Sequence, residues 1–122
     1  MNRKISPHVS IYKFPITAIS SITNRVTGLF LTGVYINLGI LCFCPKTNEM
    51  LSKYENLDWK YKKIINYSLL FPINYHTLGG IRHLVWDKYP NLLKNNSVKK
   101  SSFILFGGSF ILSYIEELFI EY

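Results

Sequence analysis

Acidic residues are scarce in this chain. Its 122 residues include 7 Asp and Glu against 14 Lys and Arg, for a formal net charge of +7. Charged residues of both signs make up only 17%, whereas hydrophobic residues make up 48%. This excludes an intrinsically disordered chain, which combines low hydrophobicity with high net charge. The sequence also lacks a phosphate-binding loop, a catalytic nucleophile motif and a metal-hydrolase motif, so we expect the chain to be inactive alone.

Cysteine is equally sparse. Cys42 and Cys44 are the only two, and a zinc site takes four ligands. We therefore interpret both as small hydrophobic side chains.

The excess positive charge lies in polar connections between uncharged blocks, which argues against a soluble nucleic-acid-binding module.

What the sequence does contain is three long apolar blocks. Val26–Cys44 has no charged residue over 19 positions, which is long enough to cross a bilayer. Ile64–Trp86 is longer but is interrupted by proline, asparagine, histidine and arginine, and Phe103–Ile115 is apolar for 13 residues before two glutamates. Because lipid offers no partners for backbone amides, the blocks are predicted to be helices. A transporter would need several copies of so small a chain.

The blocks define six segments and an orientation. The predicted segments are an inner N-terminal segment (1–19), a first transmembrane helix (20–44), an outer connection (45–63), a second transmembrane helix (64–87), an inner connection (88–100) and a third transmembrane helix (101–122). Nine basic residues lie on the side of the N-terminus and of 88–100, against five in 45–63, where three acidic residues dilute them. Basic residues favour the inner side, so the N-terminus is predicted to face the mitochondrial matrix or the bacterial cytoplasm.

His76 lies near the middle of the second block, where an ionisable side chain is costly and is a candidate for function. It could form an interhelical hydrogen bond or bind a haem iron. Gly79 and Gly80 share its face and leave room for a flat macrocycle or for another helix. His83 follows seven residues later, about 10.5 Å along the helix, so both histidines cannot bind one iron. A second histidine ligand would have to come from another chain.

Ser21 and Arg25 lie four residues apart and share a helix face at the inner interface. A hydroxyl and a guanidinium beside an apolar wall suit a ligand with a carbonyl head and an apolar tail. Alternatively, Arg25 reaches lipid phosphates while Ser21 only packs. Arg82 is a candidate cation for haem propionates, lipid phosphates or a neighbouring subunit. His83 is interpreted as interfacial, with Asp87 as its partner.

Two strings resemble one known family. The string HTLGGIRHLVWD, from His76 to Asp87, is similar at each fixed position to the H-x-x-x-G-I-R-H-L-x-W-D signature of the cytochrome b556 subunit of succinate dehydrogenase. This subunit is the larger membrane anchor of respiratory complex II. Ser6–Lys13 and Ser21–Gly28 resemble its S-P-H-L-x-I-Y and S-I-x-H-R-x-T-G stretch. One departure is Asn24, which stands where the family has histidine.

The resemblance implies an all-α membrane protein, with three transmembrane helices in a heteromeric helical bundle. A second, smaller anchor would share a haem b with this chain, and iron-sulphur and flavoprotein subunits would complete the complex. His76 matches the axial ligand of the haem iron. Ser21 and Arg25 match the ubiquinone contacts, and Arg25 is also placed to meet a haem propionate.

The implied function is electron transfer from succinate to ubiquinone, in the mitochondrial inner membrane or a bacterial inner membrane. Membrane lipids are further expected partners, and nucleic acid is not. The alternative function is a haem-free structural anchor or assembly subunit of a respiratory membrane complex.

Overall fold

The computed structural model describes residues 13–120. The first twelve residues and the last two lie outside the described part, and with them most of the Ser6–Lys13 motif and the end of the predicted 101–122 segment. Every regular element between Lys13 and Ile120 is helical, in agreement with the predicted all-α class. The elements are α1 (Ile16–Cys42), α2 (Thr47–Glu55), α3 (Trp59–Lys88), a short 3-10 helix (Pro90–Leu93) and α4 (Asn95–Ile120).

The helices extend beyond the predicted segments. Helix α1 begins at Ile16 rather than at residue 20, and α4 begins at Asn95 rather than at residue 101. Apolar blocks mark only the part of a helix that suits hydrocarbon, whereas the hydrogen-bond ladder continues into the polar flanks. At the start of α3, for example, the amides of Tyr61 and Lys62 donate to the carbonyl of Asp58 at 3.0 and 3.1 Å.

Helix α2 lies within the predicted outer connection and was not expected from the sequence. The Thr47 hydroxyl donates to the carbonyls of Leu41 and Cys44, which closes the turn between α1 and α2. The Tyr54 hydroxyl then donates to Asn66 Oδ1 at 2.6 Å and ties the end of α2 to α3. The connection is therefore folded against the end of the bundle at which α1 ends and α3 begins.

Helices α1, α3 and α4 form a three-helix arrangement in which each pair is in contact, and α3 makes the most extensive contacts. The starts of α1 and α4 lie together around a cavity lined by Ile16, Thr17, Lys99 and Phe103, so these two helices run in the same direction. The intervening α3 runs the opposite way. This layout brings the N-terminal third of α1 beside the C-terminal half of α3.

The interior is small and partly polar. Tyr75 is fully buried, and its hydroxyl donates to the carbonyl and to the hydroxyl of Ser20 at 3.1 and 3.2 Å. Its ring lies 4.9 Å from that of Phe106, and Phe71 lies 4.6 Å from Phe110, measured between ring centroids. This aromatic cluster and the Tyr75–Ser20 bonds hold α1, α3 and α4 together at mid-height.

A polar seam joins α3 to α4. Near the middle of α3 the Asn74 amide donates to Ser113 Oγ at 3.1 Å and to Glu116 Oε2 at 2.6 Å. Towards the C-terminal end of α3, Arg82 Nη1 donates to Ser102 Oγ at 3.2 Å. Most polar groups of α3 that face α4 thus have protein partners.

Helices α1 and α4 are each long and apolar enough to cross a membrane by length and composition. Helix α3 does not meet the same test because of its polar residues, although its 30 residues would extend about 45 Å. Large apolar side chains cover the outside of the bundle; Leu29, Ile104 and Phe119 are each more than 70% exposed. Such a surface needs lipid or protein partners.

Candidate functional site

His76 lies on an outward flank of α3, against α1. Its ring packs over Gly28, where an added Cβ would come within 2.7 Å of Cε1. Its Nδ1 lies 3.0 Å from the main-chain carbonyl oxygen of Asn24. A carbonyl can only accept, so Nδ1 must carry the proton and donate it. Nε2 then keeps its lone pair, and the side chain is exposed at the bundle surface. The site thus combines a fixed imidazole with a nitrogen free to bind a metal.

The two glycines beside His76 serve different neighbours. Gly79 is buried against the side chain of Asn24, and an added Cβ would collide with Asn24 Oδ1. Gly80, by contrast, has open space where a Cβ would lie. The sequence left open whether these glycines admit a macrocycle or another helix. Gly79 allows α1 to pack closely against α3, whereas the surface at Gly80, beside the imidazole, is unoccupied.

Ser21 and Arg25 lie on the exposed flank of α1 that leads to His76. Together with Gly28 they follow a spacing of four and three residues, which places all three on one helix face. The imidazole of His76 packs over Gly28. Measured along the axis of α1 from Gly28, Arg25 lies about 4.5 Å away and Ser21 about 10.5 Å away. Neither side chain hydrogen-bonds to another described residue. The structure thus gives a continuous stripe with two polar groups open to a ligand.

Arg82 and His83 are placed differently from the expectation. The Arg82 guanidinium lies 4.5 Å from the centre of the Trp86 ring and donates to Ser102, so it is directed into the seam with α4 and away from the His76 flank. His83 makes an edge-to-face contact with Trp86 at 5.3 Å, and no hydrogen bond or ion pair joins it to Asp87. The interfacial interpretation of His83 stays a prediction, but the Asp87 pairing is wrong. Aromatic contact with Trp86, one turn away, replaces it.

Comparison with known proteins shows the family to which this chain belongs. A family model described as the succinate dehydrogenase/fumarate reductase transmembrane subunit matches residues 1–115. The chain belongs to this family. The resemblance drawn from the two sequence motifs is thereby confirmed, and the chain is a membrane-anchor subunit rather than an enzyme by itself.

Relatives of the succinate dehydrogenase/fumarate reductase transmembrane subunit family cover most of the chain. The succinate dehydrogenase cytochrome b560 subunit of Reclinomonas americana is 35% identical, over 94% of this chain and 84% of that one. The cytochrome b556 subunit of Paracoccus denitrificans is 30% identical, over 93% of this chain and 88% of that one. The mitochondrial cytochrome b560 subunit of Dictyostelium discoideum is 31% identical over 90% of this chain, which spans only 58% of that relative.

The structure adds site residues of this anchor subunit that the sequence analysis did not assign. Asn24 figured there only as a departure from the family pattern, and Thr27 and Gly28 only as parts of a motif. Ser20, Asn24, Thr27 and Leu31 recur at helical spacing; Ser20, Thr27 and Leu31 are buried, and Ser20 and the Asn24 carbonyl bond to α3. Small and weakly polar residues at such spacing are typical of packed membrane helices. That pattern could have identified the α1 face that meets His76.

Proposed function

We propose that this chain is the larger membrane anchor of a succinate:ubiquinone oxidoreductase. In this proposal it shares a haem b with a second, smaller anchor and contributes to the ubiquinone site at the inner interface. The observation that carries the proposal is the His76 imidazole, whose Nδ1 donates to the Asn24 carbonyl while Nε2 stays free. If His76 served only in helix packing, there would be no reason for its Nε2 to be an exposed acceptor next to the open space at Gly80.

The residues present fit a haem on the His76 flank. His76 would supply one axial nitrogen, and the second would come from the partner anchor, because no other histidine of α3 lies on the same level. Gly80 leaves space for the macrocycle, and Arg25, one turn further in on α1, could meet a propionate. When bound, the haem would supply one-electron redox chemistry. The chain's own contribution is to orient the imidazole through the bond from Nδ1 to the Asn24 carbonyl.

Ser21 and Arg25 would hold the ubiquinone head group. Both are polar and exposed on one α1 face, beside the apolar surface that an isoprenoid tail needs. Their hydroxyl and guanidinium can donate hydrogen bonds to the quinone oxygens as negative charge develops during reduction. Succinate would be oxidised in the flavoprotein subunit, and an iron-sulphur subunit would dock at the inner face to deliver the electrons.

The proposed topology has three spans, with α1, α3 and α4 in the membrane and the α2 region outside. Polar residues in α3 are compatible with this because α1 and α4 satisfy many of them. We expect single cysteines placed in 45–63 to react with a membrane-impermeant maleimide from the outer side of sealed membranes, and cysteines in 88–100 only from the inner side. The chain's own Cys42 and Cys44 are replaced by serine beforehand. The opposite labelling would invert the orientation and separate the quinone site from its electron donor.

The haem assignment separates the proposal from the alternative of a haem-free anchor. We expect the complex purified through a tag on this chain to contain the iron-sulphur, flavoprotein and smaller anchor subunits. Its dithionite-reduced minus oxidised spectrum should show a b-type band equivalent to one haem per complex. Co-purification of all subunits without that band would favour the structural anchor. The location that follows is a mitochondrial inner membrane or a bacterial inner membrane.

A further inference from the structure

Three hydrogen-bond donors converge on the main-chain carbonyl of Asn24. The Thr27 hydroxyl donates to it at 3.0 Å, and His76 Nδ1 lies at the same distance. Inside α1 the amide of Gly28 is its helical donor. A carbonyl oxygen has two lone pairs, so the three donors compete for the same electron density. The bond from His76 is therefore weaker than it would be without Thr27.

The Asn24 side chain fixes the position of this carbonyl. It fits into the hollow at Gly79, where any Cβ would collide with its Oδ1. Oδ1 is buried and has no hydrogen-bond partner among the described residues, so steric fit rather than bonding accounts for its place. Gly79 follows His76 by three residues on α3, so the same contact that seats Asn24 also aligns its carbonyl with the imidazole.

We propose that the Asn24 carbonyl tunes the haem ligand, with Asn24 and Thr27 as positioning residues. Asn24 sets the register of α1 against α3, and the Thr27 hydroxyl limits how strongly the carbonyl accepts from His76. This inference rests on the proposed role of His76 as an axial ligand. A histidine that donates its second N–H more strongly is a more basic ligand. A more basic ligand favours ferric over ferrous iron and lowers the midpoint potential.

The test is a potentiometric titration of the purified complex carrying Thr27→Val. Valine keeps the shape of threonine but removes the competing hydroxyl. We expect the haem band to persist and the ratio of oxidised to reduced haem at a fixed potential to rise about twofold to threefold. That corresponds to a potential lowered by about 18 to 28 mV, at about 59 mV per tenfold change for one electron. An unchanged or raised potential would overturn the inference.

Thr32 provides the matched control for Thr27. Its hydroxyl donates to the Gly28 carbonyl at 2.9 Å, also within α1, but that carbonyl does not bond to His76. Thr32→Val should therefore leave the midpoint potential unchanged. An equal shift in both variants would mean that the loss of any hydroxyl from α1 moves the potential, which contradicts a specific role for the Asn24 carbonyl.

The role of Asn24 in setting the register of α1 against α3 is tested by enlarging Gly79 and then reducing the size of residue 24. Gly79→Ala should expel the Asn24 side chain and lower the haem content or shift the potential. Adding Asn24→Ala should restore both, because the smaller side chain leaves room for the new methyl group and the carbonyl is retained. Failure of the double variant to recover, or an unaffected Gly79→Ala, would show that the Asn24 fit does not position the ligand. If His76→Ala itself keeps the haem, the proposed function fails; if it loses the haem and Thr27→Val changes nothing, only this inference fails.

Discussion

Replacing His76 by alanine is expected to abolish or strongly weaken the b-type haem band of the complex. The variant would remove one of the two axial bonds proposed for the haem iron, and no other described side chain takes the position of Nε2 over Gly28. The helices should still assemble, since His76 contributes a single hydrogen bond to the α1–α3 contact, whereas Tyr75 and Ser20 keep theirs. The measurement is the reduced minus oxidised spectrum, normalised to the protein content of the complex.

His83→Ala is the control, because His83 lies two turns away and packs against Trp86. It should retain the spectrum. A more specific experiment replaces His76 by glycine and adds free imidazole. The imidazole should occupy the space left by the side chain and restore part of the haem band. An unchanged spectrum in His76→Ala would show that the iron is held by other residues.

Replacing Arg25 or Ser21 by alanine is expected to lower succinate:ubiquinone activity roughly tenfold to a hundredfold. The loss of a hydrogen bond to a group that develops charge costs about 1.5 to 3 kcal/mol, which gives this range. Both side chains are exposed and unbonded within the described chain, so the change removes a ligand contact rather than a packing contact. Succinate oxidation with an artificial acceptor that takes electrons from the soluble subunits should stay nearly intact.

Ser20→Ala is the matched control for Ser21→Ala. Ser20 is the neighbouring serine, but it is fully buried and accepts from the Tyr75 hydroxyl. Its loss should lower the thermal stability of the complex and leave the affinity for ubiquinone unchanged. If Arg25→Ala lowered both activities together, the arginine would support assembly or haem retention instead of binding the quinone.

The helical class and the choice of His76 as a candidate for function followed from the sequence because each depends on one short pattern. An uncharged block of 19 residues can hardly fold otherwise in lipid, and a histidine in mid-block has few uses. Helix α2 was missed because nine mostly polar residues between two apolar blocks are too few to mark a helix by sequence pattern alone. It is stabilised instead by the Thr47 hydroxyl and by contact with α3.

The details of the site depended on helix rotation, which the sequence specifies weakly. Every residue carries a main-chain carbonyl, so residue identity does not reveal which carbonyl accepts a hydrogen bond. The bond between the Asn24 carbonyl and His76 could therefore not be inferred from the sequence. From the sequence, Arg82 was a candidate cation for haem propionates, lipid phosphates or a neighbouring subunit. The structure instead stacks Arg82 on Trp86 and bonds it to a serine of α4.

The polar seam between α3 and α4 bears on how the chain enters the bilayer. The Asn74 amide and the Arg82 guanidinium find their partners on α4, which is synthesised later. A nascent α3 leaving the insertion machinery alone would carry these groups unsatisfied into hydrocarbon, at a cost of several kcal/mol each. Insertion of α3 and α4 as a helical hairpin avoids that cost. In the proposed three-span topology, we therefore expect α3 to enter the bilayer only together with α4.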